Sequence, residues 1–146
     1  MSNFSNFYIK QNKPETSGKA LQYVSNNFNI GANNTITLNE TVLTFSITPE
    51  SSNSTFEFAT SFKIHESDGD NVKFAVYVDG VKVGDEYAMY RDDRSVGGVF
   101  QLYGRQLYNN TSTASKTITI RAAAVSGTPT FNTGSDNFYA YTEVQN

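Results

Sequence analysis

The feature that most constrains the fold is a strict alternation of large apolar and polar residues over residues 55–64. The members of one alternating set are Phe56, Phe58, Thr60, Phe62 and Ile64. A helix would spread these side chains around its circumference, whereas a strand lines all of them along one face. The segment therefore predicts a β-strand with one face buried in a core and the other face turned to polar surroundings.

The same period of two recurs along the chain. The predicted core-facing sets are Leu43, Phe45 and Ile47; Phe74, Val76 and Val78; Phe100 and Leu102; Ile118, Ile120, Ala122 and Ala124; and Phe138, Ala140, Thr142 and Val144. Weaker runs at 21–24, 35–38 and 87–91 raise the expected total to roughly eight or nine strands. Turn-forming clusters such as Asp79-Gly80 separate the runs.

Composition and length agree with an all-β domain. Aromatic residues make up 14% of the 146 residues, all Phe and Tyr with no Trp, and such a chain is predicted to form one domain. So many strands in a single sheet would leave an apolar face in water, so we predict a two-sheet antiparallel β-sandwich, with a jelly roll as the preferred topology. Residues 1–19 are predicted to form an extended N-terminal arm, and residues 20–146 the sandwich.

Several function classes are disfavoured by what the sequence lacks. There is no cysteine, so neither disulfides nor thiolate chemistry are available. The net charge is −3 with both signs interspersed, which gives no basic patch for nucleic acid. No stretch approaches the roughly 18 apolar residues of a membrane span, and the N-terminus has neither the basic start nor the apolar core of a signal peptide. We expect a protein made in the cytoplasm, with no nucleic-acid or membrane partner.

Residue combinations typical of catalytic or metal-binding sites are also sparse in the sequence. His65 is the single histidine, so it could form neither a zinc cluster nor, at a strand end, a convincing triad. The run Asp68-Gly-Asp-Asn71 has calcium-loop character but lacks the acid at the twelfth position, and a tight turn explains it equally well. The acids Glu86, Asp92 and Asp93 are interleaved with Arg91 and Arg94, which would lower their pKa values rather than create a general acid. We expect no enzyme activity and no cofactor.

Aromatic residues outside the core-facing sets are the candidate partner contacts. They are Phe4, Phe7 and Tyr8 in the arm and Tyr77, Tyr103, Tyr139 and Tyr141 on the outward faces of the predicted strands. Tyrosine suits half-buried surfaces because its ring packs on apolar atoms while its hydroxyl stays hydrated. Three interpretations remain open for the tyrosines: ordinary sheet surface, a subunit interface, or a surface on which sugars stack.

Several segments together resemble the β-sandwich modules of tailed-phage structural proteins. They are Phe74-Ala-Val-Tyr-Val-Asp-Gly-Val81, Gly98-Val-Phe-Gln-Leu-Tyr103, Lys116-Thr-Ile-Thr-Ile-Arg121, Ser126-Gly-Thr128 and Phe138-Tyr-Ala-Tyr-Thr-Glu-Val144. Such modules occur in head-decoration (cement) proteins and tail-fibre tips, and many are similar to the jelly rolls of the tumour necrosis factor and C1q type. The resemblance covers about residues 55–146. Lys116 stands where several such modules have histidine.

The resemblance implies a non-enzymatic virion component, most often a homotrimer. Only about twenty residues precede the first predicted strand, which favours a capsid decoration protein that binds the major capsid protein on the virion surface. The alternative is a tail-fibre or receptor-binding module that recognises host glycan through the outward tyrosines.

Overall fold

The computed structural model describes residues 18–28, 40–66, 71–89, 98–131 and 137–146, with only the backbone described for 65–66, 87–89 and 98–102. Within these ranges the secondary structure is all β. The strands are β1 (Ala20–Phe28), β2 (Glu40–Ile47), β3 (Ser54–Glu66), β4 (Asn71–Val78), β5 (Val81–Met89), β6 (Gly98–Asn110), β7 (Lys116–Ser126), β8 (Thr130–Phe131) and β9 (Asn137–Gln145). The predicted arm up to residue 17 and the weak run at 35–38 lie outside the described residues.

The strands form two antiparallel sheets. One has five strands in the order β1-β9-β3-β6, with the short β8 also paired to β3. The other has four strands in the order β2-β7-β4-β5. Because most successive strands along the chain alternate between the sheets in this double Greek-key order, the sandwich is a jelly roll. The predicted all-β sandwich and its preferred topology are confirmed.

The core lies between the sheets and is built from the alternating sets. Phe56, Phe58, Phe62 and Ile64 of β3 are at most 2% exposed. Phe62 stacks on Phe74 of the opposite sheet with ring centroids 4.3 Å apart. The other predicted core residues that are fully buried are Ile47, Val76, Val78, Ile118, Ile120 and Ala122. Leu43, Phe45 and Ala124 are half-buried, and the side chains of Phe100 and Leu102 are outside the described set.

The face assignment of β9 is wrong. Tyr141 is 8% exposed and Glu143 is fully buried, while the predicted core set Phe138, Ala140, Thr142 and Val144 is only half-buried. In the register Tyr141 lies opposite Phe58 and Glu143 opposite Phe56, and directly opposed residues of an antiparallel pair share a face. Aromatic residues occupy both parities of β9, so the pairing rather than the local pattern decides which set turns inward.

Glu143 is a buried carboxylate that organises one end of the sandwich. It accepts hydrogen bonds from Gln22 Nε2 (2.5 Å) on β1, from the backbone N of Glu50 (2.9 Å) and Ser51 (3.2 Å), and from Ser54 Oγ (2.6 Å). Burial by itself would raise the pKa of Glu143, but these hydrogen bonds to the charged form outweigh it and leave the pKa below its ordinary value. The carboxylate therefore fixes the turn between β2 and β3 against β9.

The stability of the fold is expected to decline in acid because of this carboxylate. A folded-state pKa below the ordinary value of 4.5 means that the unfolded chain binds the proton more readily. The contribution is fully present above about pH 4.5 and disappears as the pH falls through the folded pKa. Thermal unfolding followed by circular dichroism from pH 7 to pH 3 should show this decline. Glu143→Gln should flatten the acid branch, leaving the contributions of Asp79 and Glu86, whose pKa values are also lowered. An unchanged acid branch in that variant would contradict the assignment.

The hairpin between β4 and β5 is formed as the sequence predicted. Asp79 (φ 49°) and Gly80 (φ 82°) both have positive φ, as a type I′ turn requires. Asp79 is joined to β7 by its backbone N, which donates to the Thr117 carbonyl (2.8 Å), and by its Oδ1, which accepts from the Thr117 N (2.9 Å). These bonds fix the hairpin beside β7 and so place the outward residues of β4, β5 and β7 on one surface.

Candidate interaction surfaces

The outer face of the five-stranded sheet carries three strongly exposed apolar side chains. Tyr23 of β1 is 68% exposed, and Tyr103 and Leu107 of β6 are each 57% exposed. The register places Tyr23 opposite Thr142 and Leu107 opposite Glu57, so these residues share the side of the sheet that points away from the core. Apolar side chains thus stand on both edge strands of one face.

Small residues lie between these edges. Ala140 of β9 is paired with Ala59 of β3, and the half-buried Phe138 lies opposite Ser61. Ala59 and Ala140 carry only methyl groups, whereas Thr142 and Glu57 lie between Tyr23 and Leu107. We call the surface formed by Tyr23, Ala59, Tyr103, Leu107, Phe138 and Ala140 the outer apolar face.

The outer apolar face contains one ion pair. Arg105 Nε lies 2.7 Å from Glu57 Oε1, and the hydrogen bond that Arg105 donates to Glu57 raises the pKa of Arg105. Both side chains are well exposed, so the pair adds little to stability. It does neutralise the two charges on this face, which makes burial of that face against another protein less costly than burial of an unpaired charge.

The outer face of the four-stranded sheet has a different character. The guanidinium of Arg121 on β7 lies over the ring of Tyr77 on β4, with Cζ 4.3 Å from the ring centroid. Beside them, Lys73 Nζ lies 2.8 Å and Lys82 Nζ 3.8 Å from the carboxylate of Glu86. The hydrogen bond from Lys73 lowers the pKa of Glu86. This face is polar and charged, with one half-buried aromatic ring.

The structure separates the candidate contacts into three groups. Tyr77 and Tyr103 lie on outward faces as predicted, but on opposite sheets, so they do not form one surface. Tyr139 and Tyr141 belong to the core side: Tyr139 stacks on Phe45 with centroids 4.2 Å apart, and burial raises the pKa of Tyr141. Their prediction as outward residues is wrong for the reason given for β9. Phe4, Phe7 and Tyr8 lie outside the described residues.

Two residues of the outer apolar face were missed by the sequence reasoning. Leu107 has the same parity as Tyr103 in β6, so extending the alternation past Tyr103 would have identified it. Tyr23 lies in a strand whose burial pattern is mostly exposed or intermediate. No local signal marks it, because β1 alternates weakly and takes its orientation from β9.

Clusters of metal-ligating side chains and membrane-spanning helices are both absent from the part of the chain that the structure describes. Among the described residues, no three or more His, Cys, Asp or Glu side chains lie close enough to hold a metal ion. The described chain also contains no helix long and apolar enough to cross a membrane. The side chain of His65 and the acids at 68, 70, 92 and 93 are outside the described set.

Comparison with known proteins gives limited information. No protein-family model and no curated protein sequence matches the chain. A sugar-binding protein, the EclA C-terminal domain, is 10% identical with a TM-score of 0.41, over 90% of this chain and 83% of that one. The structure of infectious bursal disease virus Gt strain is 10% identical with a TM-score of 0.48, over 91% of this chain and 41% of that one. Dimeric latent PorU from Porphyromonas gingivalis is 12% identical with a TM-score of 0.46, over 92% of this chain and 14% of that one. Similarities at these scores carry no inference about what this chain binds.

Proposed function

We propose that this chain is a non-enzymatic structural protein of a virus particle, a decoration protein that binds the assembled head of a tailed phage as a homotrimer. The observation that carries the proposal is the outer apolar face, where Tyr23, Tyr103 and Leu107 are each more than half exposed. Exposed apolar side chains gathered on one face mark protein interaction sites. The resemblance of several strand segments to phage structural modules suggests that the assembly is a phage head, with the major capsid protein as the partner.

The outer apolar face is large enough to form part of a subunit contact. Its residues lie in the rows from Glu57 to Ser61 of β3, which gives a length of roughly 16 Å, and four strands give a width of about 15 Å. The resulting area of about 240 Å² is close to a third of the ~800 Å² that each partner buries in a standard interface. In a cyclic trimer each subunit makes two different contacts, so the remaining area would come from the edges of this face and from the surface opposed to it.

The proposed mechanism is stabilisation by preferential binding. A protein that binds only the assembled shell shifts the equilibrium towards that shell by mass action. Trimers that contact several capsid subunits at once would add contact area across the junctions between them. No bond is made or broken, and no cofactor is needed.

Self-association through the outer apolar face is tested by a double substitution. We expect Tyr103→Ser with Leu107→Ser to convert a trimer of 16.1 kDa subunits into monomers, because loss of the two large apolar anchors on β6 costs the contact most of its binding energy. Light scattering coupled to gel filtration measures the mass. Val81→Ser is the control, because Val81 is 70% exposed but lies in the β4–β5 hairpin. A monomeric wild-type protein would contradict the trimer.

The role on the particle is tested by sedimentation with heads of the cognate phage. The wild-type protein should pellet with assembled heads and not with unassembled capsid subunits. The second candidate, a glycan receptor module, is favoured by the exposed rings of Tyr23 and Tyr103, on which sugars could stack. A glycan array separates the two: a protein that binds a glycan and does not pellet with heads would replace the decoration role by the receptor role.

A further inference from the structure

Arg121 is a half-buried cation with no carboxylate partner in the described part of the chain. Its Nε atom is buried and has no hydrogen-bond acceptor, and its one recorded contact partner is the ring of Tyr77. By contrast, Arg105 is paired with Glu57 and Lys116 with Asp79. A partly desolvated guanidinium without a hydrogen-bond acceptor costs free energy. A ligand that supplied the acceptor would remove that cost.

Two further cations lie near Arg121. Among the described side chains, Glu86 is the carboxylate beside them and lies against both Lys73 and Lys82, so the described cations outnumber it. The register brings them together, because Tyr77 lies opposite Lys82 on β5 while Ala75 lies opposite Arg121 on β7.

The surface at this point forms a shallow depression. Its lining includes Lys73, Tyr77, Glu86 and Arg121, with the small buried residues Ala75 and Ala123 between them. The enclosed space holds about one water molecule, which is the size of one carboxylate oxygen. A larger apolar ligand would not be enclosed, so recognition here depends on charge and on hydrogen bonds.

We propose that Arg121, held on Tyr77 and flanked by Lys73 and Lys82, is a binding site for a carboxylate group. The planar guanidinium matches a carboxylate in two parallel hydrogen bonds. The ring of Tyr77 restricts the orientation of the guanidinium, so less conformational freedom is lost on binding. A monoanion is favoured over a phosphate dianion because Glu86 remains at the edge of the site. This inference does not depend on the proposed function.

The site is tested by nuclear magnetic resonance, since the Nε–H group of Arg121 gives its own signal. Sodium glucuronate and N-acetyl-aspartate amide are the probes, which represent a sugar carboxylate and a protein carboxylate. Glucose is the neutral control. We expect a saturable shift of the Arg121 signal with a Kd on the order of 1–10 mM for at least one probe, and no shift with glucose. A shift with glucuronate alone identifies acidic sugar as the source, and a shift with the aspartate compound alone identifies an acidic protein segment.

Variants connect the binding to these residues. Arg121→Gln should abolish the ligand-induced shifts of the neighbouring backbone amides, whereas Lys19→Gln, which removes the same charge from an exposed position just before β1, should retain them. Tyr77→Leu should weaken binding by about 2- to 5-fold. This second variant keeps the proposal testable if Arg121→Gln fails to fold. Absence of any shift in the wild-type protein, an equal shift with glucose, or undiminished binding by a folded Arg121→Gln protein would overturn the proposal.

Discussion

Replacing Glu143 with alanine is expected to lower the free energy of unfolding by about 3–5 kcal/mol. The carboxylate is fully buried and accepts from four donors on three segments. Gln22 and Ser54 also have backbone acceptors, Thr48 O and Ser51 O respectively. Within the described residues, the backbone N–H groups of Glu50 and Ser51 have no second acceptor. Leaving these two groups without a hydrogen bond is therefore the larger part of the effect.

Denaturation by urea at pH 7 measures this change. Glu57→Ala is the matched control: it removes a carboxylate from the neighbouring strand, but one that is exposed in a surface ion pair, and it should change stability by less than about 1 kcal/mol. Glu143→Gln should lower stability by an intermediate amount. The amide keeps one acceptor oxygen, but its NH₂ group would face N–H and O–H groups that are themselves donors. Equal effects of Glu143→Ala and Glu57→Ala would show that the buried hydrogen bonds do not fix the β2–β3 turn.

Replacing Phe62 with alanine is expected to cost about 3–5 kcal/mol. Phe62 is 0% exposed and stacks on Phe74 at 4.3 Å with an interplanar angle of 3°. It also meets Phe28 edge-on, with centroids 5.5 Å apart. The substitution would leave a cavity between the two sheets, and the paired backbones on both sides prevent the sheets from closing it.

The same urea titration measures the effect, at two protein concentrations, because the stability of an oligomer depends on concentration. Phe62→Leu should cost less than half as much, since most of the volume is kept. Val81→Ala, at a 70% exposed position, should be within about 0.5 kcal/mol of the wild type. A loss below about 1 kcal/mol for Phe62→Ala would mean that the sheets repack and that β3 is not the centre of the core.

The strands that sequence analysis identified correctly share one property. In β3, β4 and β7 the apolar residues occupy one parity and polar or small residues the other, as in Phe74, Val76 and Val78 against Lys73 and Tyr77. The side-chain period of a strand then fixes the buried face without reference to any other segment. The Asp79-Gly80 turn is equally local, because only its own φ angles determine it.

The strands whose buried face was predicted wrongly or incompletely share the opposite property. In β9 aromatic residues occupy both parities, so the choice of the buried face depends on the pairing with β3. The burial of Glu143 depends on donors more than 88 residues away along the chain. From sequence alone, an acidic residue near a strand end is predicted to lie on the surface. Its burial becomes favourable only because hydrogen-bond donors from other segments converge on the carboxylate.

The sequence by itself therefore determined the all-β class, the two-sheet architecture and most of the core, because alternation and turn chemistry act within a few residues. The tertiary structure decided which tyrosines are available to a partner. It buried Tyr141, turned the half-buried Tyr139 towards the core, brought Tyr23 onto one face with Tyr103 and Leu107, and set Arg121 over Tyr77. These outcomes depend on which strands are neighbours and in what register, and pairing between distant segments is set by the free energy of the whole sandwich rather than by any one strand.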